Sequence, residues 1–333
     1  SVREDENWFA HLSYLSPHPP WIAPEKYNNM YDPSEVPKPI RRESLEEEGR
    51  QHPLLKMLHE LIPRSLFFND KLIEPAALMS DLDVLQARAT YYGLMSQVDH
   101  HLGRVVNYLK KSGQYESTLI IFTSDHGEQL GDHYSFGKYG YFDQSYSIPL
   151  IIRNPEITKQ TSDKSAVIGT QVELFTETID VMPTILDWLE TEIPEECDGR
   201  SLLPFLQGNI PDNWRTEVHW EYDFRKIGSF QPIIEQQFGL SPDQCSLTVL
   251  RDEHYKFVHM TALKPLLFDL QKDPEEFINR ADDPGYQDIM LKYAQKMLSW
   301  QMLHRDRTLV NMNMESGKLV NWKGPRILNK VGE

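Results

Sequence analysis

Residues 118–133 read Thr118-Leu-Ile-Ile-Phe-Thr-Ser-Asp-His-Gly-Glu-Gln-Leu-Gly-Asp-His133. The first half is β-branched and aromatic with no alternation, which predicts a strand buried on both faces of a parallel sheet. Upstream, Tyr91, Met95, Val98, Leu102, Val105 and Leu109 recur at spacings of four and three. That pattern predicts an amphipathic helix over residues 80–112, with Gly113 placed to end it. A long helix feeding such a strand is half of a doubly wound unit, so the expected fold class is α/β.

Working outward, Ile148-Pro-Leu-Ile-Ile-Arg153 predicts a second strand, and residues 180–190 a helix. Asp180 would cap that helix, with Val181, Ile185, Leu186 and Leu189 facing inward. Residues 246–269 predict three short strands in a small antiparallel sheet. A last helix over about 285–304 would carry Tyr286, Ile289, Met290, Tyr293, Met297 and Trp300 on its packed side. Beyond Leu309 an irregular tail is expected, docked on a neighbouring subunit of a homodimer or homotetramer. Toward the start, seven prolines between Pro17 and Pro39 predict an extended, irregular segment. Residues 43–62 predict short helices, with Glu46–Glu48 as a solvated face. The expected division is residues 1–210 within an α/β domain and 211–333 as a small sheet, helix and tail.

The whole chain has 333 residues, 40% hydrophobic and 11% aromatic, enough for two domains or one large domain with an attachment. No apolar run approaches the roughly 18 residues of a membrane span, so no membrane partner is expected. The formal net charge of −16, with no basic stripe, argues against nucleic acid. Cys197 and Cys245 are too few for a disulfide framework, which fits a reducing, cytoplasmic setting. The chain opens without an initiator Met or a signal peptide, on an apolar segment holding Trp8, Phe9, Leu12, Tyr14 and Leu15. Such a segment is expected to be buried, and further sequence is expected upstream of it.

The chemistry concentrates after the 118–124 strand. Ligands of open α/β sheets bind at the carboxyl ends of strands, where Asp125 and His126 emerge. A carboxylate beside an imidazole can ligate a divalent cation, and Gly127 and Gly131 allow tight turns beneath them. The alternative is a helix-capping Asp with an incidental His. Lys138, in Phe136-Gly-Lys-Tyr-Gly140, is suited to an anionic substrate, against the alternative of a plain surface lysine. His18, fixed within Pro17-His-Pro-Pro20, has the restricted approach that a general acid requires. His100 and His101 are assigned to surface or packing.

Together these stretches resemble the sulfatase branch of the alkaline phosphatase superfamily, and more closely its phosphonate monoester hydrolases. The resemblance rests on residues 13–20, residues 122–133 with Gly137-Lys138, and Ser147-Ile-Pro-Leu-Ile-Ile152. It continues through residues 178–186, Cys197-Asp-Gly-Arg-Ser-Leu-Leu203 and residues 267–275, over almost the whole chain. It implies the superfamily's doubly wound sheet with a small C-terminal antiparallel subdomain. It implies Asp125 and His126 as ligands of one divalent metal ion (manganese, calcium, magnesium or zinc). Lys138 would contact the non-bridging ester oxygens, and His18 would protonate the leaving group. Many arylsulfatases have Asn after this Asp, so His126 tilts the resemblance toward small anionic phosphonate and phosphodiester substrates.

The family's nucleophile is a formylglycine made from a Cys-x-Pro-x-Arg motif. Neither Cys197-Asp-Gly-Arg200 nor Cys245-Ser-Leu-Thr248 fits it. The chain is therefore expected to be a C-terminal portion lacking the nucleophile and inactive alone. Arylsulfatase activity, or a non-catalytic binding or assembly module, are the alternative expectations.

Overall fold

The structure, a computed structural model, describes residues 7–69, 71–155, 168–225, 236–304, 312–315 and 318–321. The chain divides into two compact units, one of residues up to Thr118 with His126–Ser147, the other of Leu119–Asp125 with the residues from Ile148 on.

The first unit is helical: α1 (Glu25–Asn28), α2 (Leu45–Gly49), α3 (Pro53–Leu61), α4 (Asp81–Lys111) and α5 (Asp143–Tyr146). Helix α4 forms where the pattern predicts it. The Ser80 hydroxyl accepts a hydrogen bond from the Asp83 amide at 3.2 Å, Asp81 and Asp83 occupy the first turn, and Lys110 and Lys111 the last. The packed face matches the predicted one only in part: Leu109 is buried, and Tyr91, Val98, Leu102 and Val105 are half-buried. Val84, Ala87, Arg88, Ala89, Gly93 and Leu94 are buried, whereas Met95 is 49% exposed. Small residues set this face because α1 lies close. A Cβ on Gly93 would stand 2.1 Å from the Tyr27 carbonyl oxygen. Large apolar residues alone therefore located only part of the seam, because its N-terminal half is built from small ones.

Helix α3 starts at Pro53, with the His52 ring accepting a hydrogen bond from the Leu54 amide at 3.1 Å. It buries Leu54, Leu55, Met57, Leu58 and His59. The expectation of a solvated Glu46–Glu48 face fails at Glu48, which is fully buried. Its carboxylate accepts from the Arg42 amide at 2.7 Å and meets His133 Nδ1 at 2.9 Å. Burial alone would raise its pKa, but the His133 and Arg42 hydrogen bonds hold it below its ordinary value. The apolar segment near the start is also not buried as predicted: Phe9 and Leu15 are 77% and 80% exposed.

His59 provides a pH test. Its Nε2 faces the His133 carbonyl oxygen at 2.7 Å, and its buried Nδ1 has no hydrogen-bond partner. Burial pushes its pKa from 6.5 down to about 4. Between those values the unfolded chain binds the proton and the folded chain does not, so stability falls as pH drops. The full loss is about 3 kcal/mol. Urea unfolding from pH 7 to 4 should show it, and His59→Gln, which keeps a donor for that carbonyl, should flatten the slope. An unchanged slope in the variant would show that the loss arises elsewhere.

In the second unit β1 (Ile120–Thr123) pairs with β2 (Leu150–Arg153), Ile121 opposite Ile152. The pair is antiparallel and its residues are half-buried or exposed, against the prediction of a parallel strand buried on both faces. An unalternating apolar run reports hydrophobic faces and carries no information on strand direction. Helix α6 (Val181–Trp188) buries Pro183 and Thr184, while Leu189 is exposed. Asp180 does not cap α6. It is fully buried and holds Arg215 in a two-pronged ion pair, so its carboxylate serves tertiary structure instead. A short helix α7 (Leu203–Leu206) follows.

The antiparallel sheet runs β3 (Glu217–Asp223), β4 (Ser246–Asp252), β5 (Tyr255–Met260), β6 (Leu266–Asp269), each bonded to the next. The last three are the strands predicted; β3 adds a fourth. Helix α8 (Gln287–His304) lays Tyr293 and Met297 on Leu250, Phe257 and Leu267, flanked by Tyr286, Ile289 and Met290. Each such buried side chain stabilises the unit by about 1.5–3 kcal/mol. The tail expected to be irregular contains a hairpin of β7 (Met312–Glu315) and β8 (Lys318–Asn321). Residues 305–311 and 322–333 lie outside the described residues. Among those described, no helix is long and apolar enough to cross a membrane.

Candidate functional site

The chain leaves β1 at Thr123, and Asp125 follows two residues later, exposed at the strand's carboxyl end. It closes the segment assigned to the second unit, and His126 opens the next segment of the first. His126 is half-buried, with its Nδ1 2.7 Å from the Gly127 carbonyl oxygen. In the neutral ring Nδ1 therefore carries the proton and Nε2 the lone pair, the tautomer a metal ligand needs. Gly127 is required by close approach, since a Cβ there would lie 2.1 Å from the Gln144 carbonyl oxygen. Its amide donates to the Ser145 carbonyl at 2.8 Å, which ties His126 to α5.

The chain then folds back on itself. One Glu128 oxygen accepts from the Gly137 amide at 2.5 Å and the Leu130 amide at 3.2 Å. The Gln129 amide donates to the Gly137 carbonyl at 3.1 Å, and its side chain to the Tyr139 carbonyl at 3.2 Å. Burial pushes the Glu128 carboxyl up to about 7, against the opposing pull of its amide partners and Lys138. Lys138 itself is exposed at the tip.

Beneath this loop lies a buried polar platform. Arg88 of α4 donates to the Leu130 carbonyl at 2.8 Å and pairs with Asp132, which also accepts from the Ile40 amide at 2.8 Å. The His133 ring stacks on Phe142 at 3.7 Å and meets Glu48. Asp132-His133 repeats the Asp-His order of 125–126, but both of its side chains are buried in structural contacts.

His18 is exposed, with its Nδ1 2.6 Å from the Pro19 carbonyl oxygen, which leaves Nε2 to exchange a proton. Trp21, three residues on, anchors its loop. The Trp21 ring contacts Phe67 (5.2 Å between centroids) and Phe136 (6.2 Å), and Phe136 precedes Lys138 by two residues. His18, His126 and Lys138 thus share one compact unit, with the loops of His18 and Lys138 meeting through aromatic rings. Glu128, Arg88 and Trp21 were not predicted as parts of this arrangement. An aromatic directly after Pro-His-Pro-Pro was the available signal for Trp21.

Asp125 and His126 offer an oxygen and a nitrogen donor, a chemistry that fits a divalent cation. Two donors fill only part of a coordination shell, and among the described residues no group of three or more His, Cys, Asp or Glu is arranged to hold a metal.

The Sulfatase family model matches residues 2–191, and the model for the C-terminal part of N-sulphoglucosamine sulphohydrolase matches residues 131–302. A multifunctional alkaline phosphatase superfamily protein, PehA of Trinickia caryophylli, is 48% identical over 93% of this chain and 58% of its own length. The phosphonate monoester hydrolase of Agrobacterium radiobacter superposes with a TM-score of 0.86 at 42% identity, over 96% of this chain and 61% of that one. That of Silicibacter pomeroyi gives 0.83 at 38% identity, with the same coverage. The chain thus spans about three fifths of the length of each of these proteins, which share its alkaline phosphatase/sulfatase fold.

Proposed function

The chain belongs to the sulfatase family, and on that premise we propose that its protein hydrolyses phosphonate monoesters and phosphodiesters, with sulfate esters as secondary substrates. The observation that carries this reading is the presentation of His18 and Lys138. Both are exposed groups on firmly held loops of one unit, joined through Trp21 and Phe136. Lys138 places a cation where charge on the non-bridging oxygens can be offset. His18, its Nδ1–H engaged by the Pro19 carbonyl, would donate to the departing oxygen from Nε2 of the doubly protonated ring, which returns to the neutral tautomer with its remaining proton on Nδ1. Asp125 and His126 would hold a divalent cation, which when bound supplies Lewis-acid polarisation of the ester. In this reading the nucleophile would be a formylglycine, which neither Cys197 nor Cys245 supplies in a Cys-x-Pro-x-Arg motif. The likeness of the phosphonate monoester hydrolases at 38% and 42% identity favours phosphorus esters. An arylsulfatase of Clostridium perfringens is 26% identical and supports sulfate esters as the second reading.

The test is a paired assay of the full-length protein, reconstituted with manganese, calcium, magnesium or zinc, on matched 4-nitrophenyl esters. The phenylphosphonate and the phosphodiester should be turned over faster than the sulfate. Lys138→Ala should lower all three by about 100-fold or more. A leading rate on sulfate would reverse the preference. No turnover with any metal would leave a binding or assembly module.

A further inference from the structure

Trp21 makes contacts that a space-filling core residue does not need. It is 4% exposed, and its indole Nε1–H donates to the Pro17 carbonyl at 3.1 Å, closing the turn that contains His18. Its backbone amide donates to the Phe67 carbonyl at 2.8 Å. Phe67 in turn contacts Phe136 at 5.6 Å between centroids, so Trp21, Phe67 and Phe136 form a closed triangle of rings. One corner is three residues from His18 and another two residues from Lys138. Tyr91 of α4 and Phe68 meet the indole edge-on at 6.0 and 5.6 Å, which fixes the ring's tilt.

We propose that Trp21 is a positioning residue. Its indole N–H sets the turn that presents His18, and its ring holds that turn in register with the Gly137-Lys138 loop. The inference rests on the proposed role of His18 as the group that protonates the leaving oxygen. Protonation matters little for a phenol that departs readily as an anion and greatly for one that does not. A turn that mispresents His18 must therefore slow poor leaving groups selectively. A purely structural defect lowers the active fraction and slows every substrate by one factor.

The experiment compares 4-nitrophenyl and phenyl esters of the same phosphonate in the full-length enzyme, for Trp21→Phe, Phe136→Leu and His18→Ala. Trp21→Phe keeps an aromatic ring and removes the bond to Pro17; Phe136→Leu loosens the triangle from the Lys138 side and serves if the first variant fails to fold. Trp21→Phe should lower kcat/KM for the phenyl ester about tenfold more than for the 4-nitrophenyl ester, with His18→Ala showing the same selectivity at least as strongly. Phe136→Leu should show the selectivity in weaker form. Equal losses on both esters in the Trp21 and Phe136 variants, beside a selective loss in His18→Ala, overturn the positioning role alone. Equal losses in His18→Ala as well overturn the reading of His18, and the inference with it.

Discussion

Replacing Asp125 by alanine is expected to weaken divalent-cation binding by at least about 100-fold and to lower kcat/KM by a comparable or larger factor. The carboxylate is the only anionic donor proposed at this position. Its neighbour His126 would contribute one ring nitrogen, Nε2, since Nδ1 donates to the Gly127 carbonyl. Asp125→Asn should fall between wild type and alanine, because it keeps an oxygen donor and loses the charge. Asp125 is exposed, so both variants should unfold within about 0.5 kcal/mol of wild type. Metal titration followed by calorimetry, with activity measured at each metal concentration, reads both effects. Unchanged metal affinity in Asp125→Ala would remove this residue from the metal site.

The largest effect on stability is expected at Asp180. This fully buried carboxylate accepts from the amides of Glu177 and Arg200, each at 2.8 Å, and from two nitrogens of Arg215. Asp180→Ala leaves two backbone amides unsatisfied. It also leaves the buried Arg215 guanidinium with Glu177 alone, at 3.3 Å. Breaking a buried pair from one side costs about 3–5 kcal/mol. Adding Arg215→Met should recover part of that loss by removing the stranded charge, a coupling that a double-mutant cycle in urea measures. A loss below about 1 kcal/mol for the single variant would mean that water replaces the carboxylate without penalty.

Local patterns were the legible part of this sequence. Ser80, the spacing through Leu109 and Gly113 delimit a helix observed at Asp81–Lys111. The 246–269 strands and the terminal helix were equally plain, because alternation and turn residues act within a few positions. Asp125, Lys138 and His18 are exposed, each close to the glycines or prolines that mark a turn in the sequence. Pairings between distant residues were not legible. Glu48 looks like one acid in a charged run until His133, 85 residues away, is folded onto it. Arg88 and Asp132 are separated by 44 residues, and Asp180 is matched to Arg215 across 35. No local rule distinguishes such a charge from a solvated one, because its partner is chosen by tertiary packing. Strand direction failed for the same reason: Ile120–Thr123 has the same hydrophobicity beside a parallel or an antiparallel neighbour.

The platform of Arg88, Asp132, His133 and Glu48 has a consequence for ligand entropy. Ordering a flexible backbone on binding costs about 1–2 kcal/mol per residue, enough to cancel the attraction of a single lysine for an anion. Here the backbone around Lys138 is held from below by Asp132 and His133 and within the loop by Glu128 and Gln129. In the proposed role of Lys138 as an anion contact, its side-chain rotamers are then the main freedom left to restrict. If Lys138 takes an anion, the backbone share of that cost is thus already met in folding, and the rotamer entropy of the lysine, itself up to about 2 kcal/mol, is the share that binding still has to offset.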